Sequence, residues 1–532
     1  MIQGNSLRRF VTYSIRAFAA LAALMTLILL TAPVARAQTY TVLYRFCSNA
    51  KCTNGSVPRS LVQATDGDFY GTTSAGGDND DLTCVVVNLR VPGCGTVFKI
   101  TPGGTLTTLY NFCNQANCLD GAVPSTPLTQ ATNGDLYGTT GQGGADDNNN
   151  YGGTVFKITP GGTLTTLYNF CSDDYPNCSS FPEGALIQAI NGDLYGTDFY
   201  SGQSVFGGFY ASGSVFKITP GGAFTTVYTF CSQPNCTDGA SPTAGLVQAS
   251  NGDLYGTTSD GGTNDGGTIF KITPGGTLTT LYNFCSLPDC TDGAFPFGAL
   301  VQATNGDLYG TTVDGGSTNV GAAGTIFKIT LDGTLTTLYS FCSLPNCADG
   351  KAPEGALIQA TNGDIYGTTQ LGGNNSAELC VRAEGCGTIF KITPSGAFTT
   401  VYTYCSQPNC TDGAFPGVGS LMQATNGDLY GWTIGGGNLR IAGTIFRLDL
   451  GLGPFVALQT SLGEVGAKVI ILGTDLTGAS SVTFNGTPAT FTVNSTGGAI
   501  TATVPTGATT GTVKVTTLSG TLVSNKPFQV IS

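Results

Sequence analysis

The 532-residue chain has no His, one Trp, three Met and only 10% charged residues, against about 25% in ordinary globular proteins. Without His there is no Ser-His-Asp hydrolase, no His-ligated metal site and no His general base. Only 21 residues are Lys or Arg, against 33 Asp and Glu, so the basic surface that nucleic-acid binding needs is missing. Beyond the N-terminal region no apolar run is long enough to span a membrane, and no polybasic tail is present. Gly is abundant at 78 residues, about twice its usual share, but without the three-residue period of collagen. Apolar residues at 41% and aromatics at 10% exclude a disordered chain. These limits leave a Gly-rich, aromatic-rich, all-β globular protein.

Residues 1–37 read as a secretory signal. Arg8, Arg9 and Arg16 precede an apolar run from Ala17 to Leu30, and Ala35-Arg36-Ala37 supplies a small-residue cleavage site. The run is short for a spanning helix of about 20 residues, so cleavage after Ala37 is expected. The segment holds four Arg and no acid, so the remainder carries 17 basic and 33 acidic residues, a net charge of −16. A soluble protein, secreted or at the cell surface, is expected, with no membrane span after cleavage. Its acidity disfavours anionic partners.

The 18 Cys agree with export. Seven close pairs form one series: Cys47/Cys52, Cys113/Cys118, Cys171/Cys178, Cys231/Cys236, Cys285/Cys290, Cys342/Cys347 and Cys405/Cys410. Two more, Cys84/Cys94 and Cys380/Cys386, lie in insertions. An even count in an exported chain reads as disulfides. Zinc is the alternative, but zinc favours Cys-x2-Cys knuckles in facing pairs, or added His. Here the usual gap is four residues, with one pair per repeat.

The chain is a repeat array. Asn251-Gly-Asp-Leu-Tyr-Gly256, Gly267-Thr-Ile-Phe-Lys-Ile272 and Thr277-Leu-Thr-Thr-Leu-Tyr-Asn-Phe284 each have close copies, seven in all. Repeat lengths run from 54 to 67 residues between successive hairpin Asp residues. In the repeat Gly298–Phe341, four strands are expected: Ala299–Ala303, Asp307–Thr312, Thr325–Thr330 and Thr334–Phe341. Asn305-Gly306 predicts a two-residue type I′ hairpin between the first two. Leu331-Asp-Gly333, Pro-Gly-Gly in most copies, turns between the last two. Four-stranded units at this spacing predict a seven-bladed β-propeller over 38–450. The segment Thr39–Phe46 is a fourth-strand sequence with no blade before it, and the seventh repeat, ending at Arg447–Leu450, lacks its own. The N-terminal strand should therefore complete the last blade and close the ring, which removes an exposed edge. A β-solenoid is the rival architecture, with open ends that need caps. Both tight turns then share one face. Both variable loops, with every Cys in or beside them, share the other, where binding usually sits.

Residues 451–454 form a linker, after which the Cys stop. Alternating apolar residues and regular Gly turns over 455–532 predict a small β-sandwich. Gly463-x-x-Gly466, Val469-Ile-Ile-Leu-Gly473, Val482-Thr-Phe-Asn-Gly486, Ile500-Thr-Ala-Thr-Val-Pro505 and Gly511-Thr-Val-Lys-Val515 resemble an IPT/TIG domain. That resemblance implies an immunoglobulin-like sandwich used for interaction or spacing. The repeats resemble the GloVer tandem repeats of exported bacterial proteins, through Gly-Asp-Leu-Tyr-Gly-Thr-Thr, Gly-Thr-Ile-Phe-Lys-Ile-Thr and Gly-Thr-Leu-Thr-Thr-Leu-Tyr. This implies a surface or secreted protein without a defined activity.

Candidate chemistry is sparse. The hairpin residues Asp68, Asp135, Asp193, Asp253, Asp307, Asp364 and Asp428 face the third-strand Lys99, Lys157, Lys217, Lys271, Lys328, Lys391 and Arg447. Sevenfold repetition favours cross-strand partners over a charged channel lining. The acidic loops Asp78–Asp81 and Asp146–Asn148, and the recurrent Asp120, Asp238, Asp292, Asp349 and Asp412, offer oxygen ligands for Ca²⁺. None matches a calcium-loop motif, and no cofactor is expected. Of the five Glu, Glu183, Glu354, Glu378, Glu384 and Glu464, none shares a repeated motif with a partner, as paired glycosidase carboxylates need. Trp432, in place of a repeated Thr, reads as packing, with sugar stacking the alternative. The expected function is a non-enzymatic recognition or adhesion module for an extracellular polymer or surface protein. The alternatives are a secreted carbohydrate-active or lactonase-type enzyme using channel carboxylates, and an inert spacer. Two acids buried together at the channel mouth would favour the enzyme.

Overall fold

The computed structural model describes residues 38–49, 51–78, 93–144, 152–171, 181–200, 212–316, 323–373, 376–381, 384–437 and 442–531. The expected signal segment 1–37, residues 79–81 and 146–148 named above as candidate calcium ligands, Cys84 and Cys178 lie outside them. Tyr40–Ser532 forms one compact unit. Its elements are almost all strands, with short 3-10 turns at the Cys loops and one short helix, Glu378–Val381. Among the described residues no helix is long and apolar enough to cross a membrane.

The strands follow from alternation. In Thr268–Ile272, Ile269 packs with Phe284 and the following repeat's Leu300, while Phe270 packs the other way, with Phe230 of the preceding repeat. The second and third strands thus bury both faces, as strands covered on both sides must, while the outer fourth strand stays half-exposed. The repeat region builds seven antiparallel sheets of this kind. Sheets 1 to 7 are centred in chain order on Thr96–Ile100, Thr154–Ile158, Ser214–Ile218, Thr268–Ile272, Thr325–Ile329, Thr388–Ile392 and Thr444–Asp449. In sheet 5 the order is Val301–Gln302, Leu308–Thr312, Thr325–Ile329, Leu335–Ser340. Sheet 7 takes its outer strand, Thr39–Arg45, from the start of the described chain.

Each sheet stays open, and the sheets are joined by contacts between them. The turn backbone of one sheet donates to the Gln side chain of the next. Thr65 bonds Gln130, Thr132 bonds Gln188, Ile190 bonds Gln248, Ser250 bonds Gln302, Thr304 bonds Gln359 and Thr361 bonds Gln423, at 2.8–3.0 Å. The seventh bond, Thr425 to Gln63 at 2.9 Å, returns from sheet 7 to sheet 1. A second cycle is steric. The Gly that opens each third strand sits under the Pro of the next sheet, and a Cβ there would come within 2.3–3.2 Å of the Pro ring. Gly267 under Pro296 and Gly443 under Pro58 are two of the seven.

Two expectations are corrected. The Asn-Gly hairpin is not type I′: Gly306 has φ +91° but Asn305 does not have positive φ. Gly306 N–H bonds Ala303 O, and Ala303 N–H bonds Asp307 O. The loop is therefore three residues, a type I turn followed by a Gly bulge. Asn305 supports it by accepting from Asp307 N–H at 3.1 Å and donating to the Tyr309 hydroxyl at 3.0 Å. The first strand also shortens to Val301–Gln302. Its N-terminal part turns towards the next sheet, where Gly298 lies so near Gly355 that a Cβ would reach its carbonyl at 2.7 Å.

Residues 455–531 form two four-stranded sheets and a parallel pair, Leu462–Glu464 with Gln529–Ile531. One core joins them, with Val469, Ile471 and Ile500 from one sheet and Val482, Phe484, Val513 and Val515 from the other. This segment sits on the tight turns. Asn494 donates to Thr65 O at 2.7 Å, Phe455 N–H bonds Thr425 O, the Thr425 and Thr474 hydroxyls lie 2.8 Å apart, and Gln459 bonds Gln130.

Candidate functional site

The turns are occupied with their own support. Lys99 pairs with Asp68 at 2.7 Å, Lys391 with Asp364 at 3.2 Å and Arg447 with Asp428 at 2.7 Å, and the longer pairs Lys157–Asp135, Lys217–Asp193 and Lys271–Asp253 follow the same pattern. These are cross-strand contacts within a sheet. The Asp after the second Cys is likewise saturated. Asp292 accepts from the Tyr282 hydroxyl, the Ser286 hydroxyl and the backbone of Ser286 and Leu287, all within 3.2 Å. Such a buried carboxylate holds the Cys loop in place.

The structure joins Cys47–Cys52, Cys113–Cys118, Cys231–Cys236, Cys285–Cys290, Cys342–Cys347, Cys380–Cys386 and Cys405–Cys410. Cys94 and Cys171 are also disulfide-bonded. The inserted pair is not isolated: the sulfurs of Cys380, Cys386, Cys405 and Cys410 lie within 4.8 Å of one another and are buried. Cys94 meets Cys113 and Cys118 in the same way.

The distinctive chemistry lies where the seven first strands converge. A Pro on the N-terminal side of each is packed over the Gly that opens the third strand of the preceding sheet. Between this invariant Pro and the invariant Gln, the residue after Pro takes six identities in seven repeats: Arg59, Ser125, Glu183, Thr243, Phe297, Glu354 and Gly417. Arg59, Ser125, Glu183, Thr243 and Phe297, with Ala185, Ala356 and Trp432, line a cavity of about 340 Å³ on the Cys-loop side of the Gln residues. Small-molecule pockets span about 300–1,000 Å³.

Charge orders this cavity. Arg59 interacts electrostatically with both Glu183 and Glu354. Around the cycle of seven, Glu183 stands two sheets after Arg59 and Glu354 two sheets before it. Among the described residues no contact ion pair joins them. Burial lowers the Arg59 pKa, against the pull of the two carboxylates. Burial raises both Glu pKa values, and Arg59 moderates the rise. Glu183 is exposed and Glu354 half-buried. Arg59 Nε also donates to the Ser74 hydroxyl at 3.1 Å, which fixes its direction.

Two polar groups on the wall have no protein partner. The Trp432 side chain is 1% exposed, and its Nε1–H has none. The Thr243 hydroxyl, on a residue 9% exposed, also lacks one, as does Thr257 behind it. Elsewhere the same strand position is satisfied: Thr197 and Thr311 donate to Ala244 O and Gly355 O of the next sheet. Trp432 packs with Phe46, Leu61 and Ile445, and its N–H edge lies beside Gly417, where a Cβ would come within 2.8 Å of Nε1.

Sequence reasoning named Glu183, Glu354 and Trp432 singly and did not assemble them into a site. Glu183 and Glu354 occur in identical octapeptides, Pro182–Ala189 and Pro353–Ala360. The signal was available as a position that varies between an invariant Pro and an invariant Gln. Glu378, Glu384 and Glu464 lie elsewhere.

A model of the Gloeobacter/Verrucomicrobia repeat matches residues 34–233 and 199–408. No curated protein matches the chain. Among solved structures the chain is similar to a fungal alcohol oxidase of the AA5 family in complex with copper. That match has 12% identity, covers 93% of this chain and 99% of that one, and has a TM-score of 0.50. It is also similar to an α-L-arabinanase of Penicillium chrysogenum complexed with arabinobiose, at 14% identity over 61% and 92%, with a TM-score of 0.38. A third is a surface component of the type-IX secretion system of Porphyromonas gingivalis, at 12% identity over 90% and 60%, with a TM-score of 0.45. At such identity the first likeness shows an all-β, propeller-like fold and no activity.

Proposed function

The chain belongs to the Gloeobacter/Verrucomicrobia repeat family, and from that premise we propose an exported, non-enzymatic recognition module. On this reading the seven sheets are the blades of one propeller, supported by the two cycles of contacts that return to sheet 1. Residues 455–531 are an IPT/TIG-like, immunoglobulin-type sandwich, supported by two sheets around a single core. Export is supported by the buried disulfides, which persist in oxidising compartments, and by the charged and apolar pattern of residues 1–37. The partner is an extracellular or envelope polymer.

One observation carries the reading: the residue after Pro takes six identities in seven repeats, and five of the seven copies line one cavity whose wall holds unpartnered polar groups. Packing alone asks for the same residue each time, as the invariant Pro and Gln of the same segment illustrate. Binding asks for different ones. The test is a glycan and envelope-polymer array with residues 38–532 and the variant Arg59→Met. Saturable binding that Arg59→Met weakens supports recognition; absence of binding to every polymer leaves an inert spacer.

A second reading is favoured by one feature. Glu183 and Glu354 share the cavity's field, as the two carboxylates of a carbohydrate-active enzyme share theirs. Arg59 acts on both, which suits holding a ligand better than protonating a leaving group. Turnover on a polysaccharide panel, abolished by Glu183→Gln or Glu354→Gln, would decide for the enzyme.

A further inference from the structure

We propose that the central cavity takes one uncharged, hydroxyl-rich group, a sugar residue without carboxylate, sulfate or phosphate, offered from the Cys-loop side. This rests on the recognition reading above and names its ligand.

Size sets the first limit. A cavity of about 340 Å³ is at the small end of ligand pockets, so it holds a terminal residue and not a length of polymer. Hydrogen bonding sets the second. The Trp432 N–H is a donor only, and the Thr243 hydroxyl both gives and accepts. Both are buried without protein partners, so a ligand that brings oxygens satisfies them and an apolar one does not. Arg59 adds fixed donors and the two Glu add acceptors, a mixture that a group carrying several hydroxyls matches on every side. Phe297, Ala185, Ala299 and Ala356 supply apolar wall for the C–H faces of a ring.

Charge sets the third limit. One guanidinium, on the cavity wall, acts electrostatically on two carboxylates. An anionic ligand that reached Arg59 would enter the field of both Glu. An ammonium that reached either Glu would meet Arg59, which already answers both. A neutral ligand disturbs neither balance, and the low dielectric of a confined site magnifies the difference.

The experiment is calorimetric titration of residues 38–532 with neutral gluco-, galacto- and manno-oligosaccharides, and with uronate and amino-sugar oligomers of the same length. One neutral series should bind at least about tenfold more tightly than its charged counterparts. Trp432→Phe keeps the ring and deletes the N–H, and Thr243→Val deletes the hydroxyl at constant shape. Each should weaken binding about tenfold, with folding of each variant checked by thermal melting. Glu183→Gln should bring uronate affinity to within about threefold of neutral affinity, a shift that a structural role would not produce. The proposal falls if a charged series binds as tightly as the neutral one, or if both the Trp432 and Thr243 variants stay within twofold of the parent. If no oligosaccharide binds but a non-carbohydrate polymer does, recognition stands and the ligand class is wrong. If nothing binds, both fall.

Discussion

Arg59 is the residue on which the cavity's charge balance turns. Replacing it with Met removes the cation that acts on both Glu183 and Glu354. Both carboxyls titrate higher in the fold than in the unfolded chain. The stability that their protonation confers is therefore full below the ordinary carboxylate value and is lost as pH rises through the folded values. Arg59→Met raises those values further. The variant should lose about 1 kcal/mol at pH 7, a low figure because Glu183 is exposed and solvent screens the interaction. The loss should shrink towards zero near pH 4, as read from denaturant midpoints. Asp292→Ala tests the opposite role, a structural carboxylate. It strands three or four donors in the Cys loop and should cost about 2–3 kcal/mol, with ligand affinity unchanged. At this scale the sequence was least legible. Repetition made the hairpin Asp and Lys conspicuous, and they proved to be partners of one another. The cavity residues were overlooked because each occurs once or twice and therefore forms no pattern.

The strands were mostly readable, because alternating Thr, Tyr, Phe and Ile between Gly turns leaves little else to form. Leu308–Thr312, Thr325–Ile329 and Leu335–Ser340 lie within a residue or two of their expected bounds. The turn type was not readable. Asn-Gly suits two hairpin geometries, and hydrogen bonds made by Ala303 and Asp307 decide between them. Nor was the first strand's length, which depends on how close the next sheet's backbone comes. Two glycines separate conformation from space. A Cβ on Gly306 meets nothing within 4 Å, so Gly306→Ala bears only the positive-φ penalty, about 1 kcal/mol. Gly256→Ala drives a methyl to 2.6 Å from Phe270 and 2.7 Å from Leu246, and should cost about 3 kcal/mol through overpacking. Thermal unfolding of the two variants side by side should show the second loss clearly larger.

For the molecule as a whole, the pairing of Thr39–Arg45 with sheet 7 was legible because one end of the array had a strand too many and the other a strand too few. The docking of residues 455–531 on the turns was not, since it rests on single contacts such as Asn494 with Thr65 that no repeat announces. Tyr40 shows what the borrowed strand contributes: it stacks on Tyr402 at 4.0 Å and on Phe446 at 5.0 Å, and its hydroxyl donates to Asp412 O. A chain starting at Ser48 loses these contacts and bares the strand Thr444–Asp449. It should melt at a lower temperature and run as oligomers in size-exclusion chromatography.

The same pairing constrains how the molecule comes into being. Its two strands lie roughly 400 residues apart, a long-range closure of the kind that slows folding. Under the proposed export, a polypeptide threaded through a translocation pore amino end first delivers Thr39–Arg45 at the outset and the sheet that seats it late. Assembly then cannot run vectorially to completion. Until that sheet arrives the leading strand is an unpaired β-forming peptide, an edge of the kind that pairs with other chains.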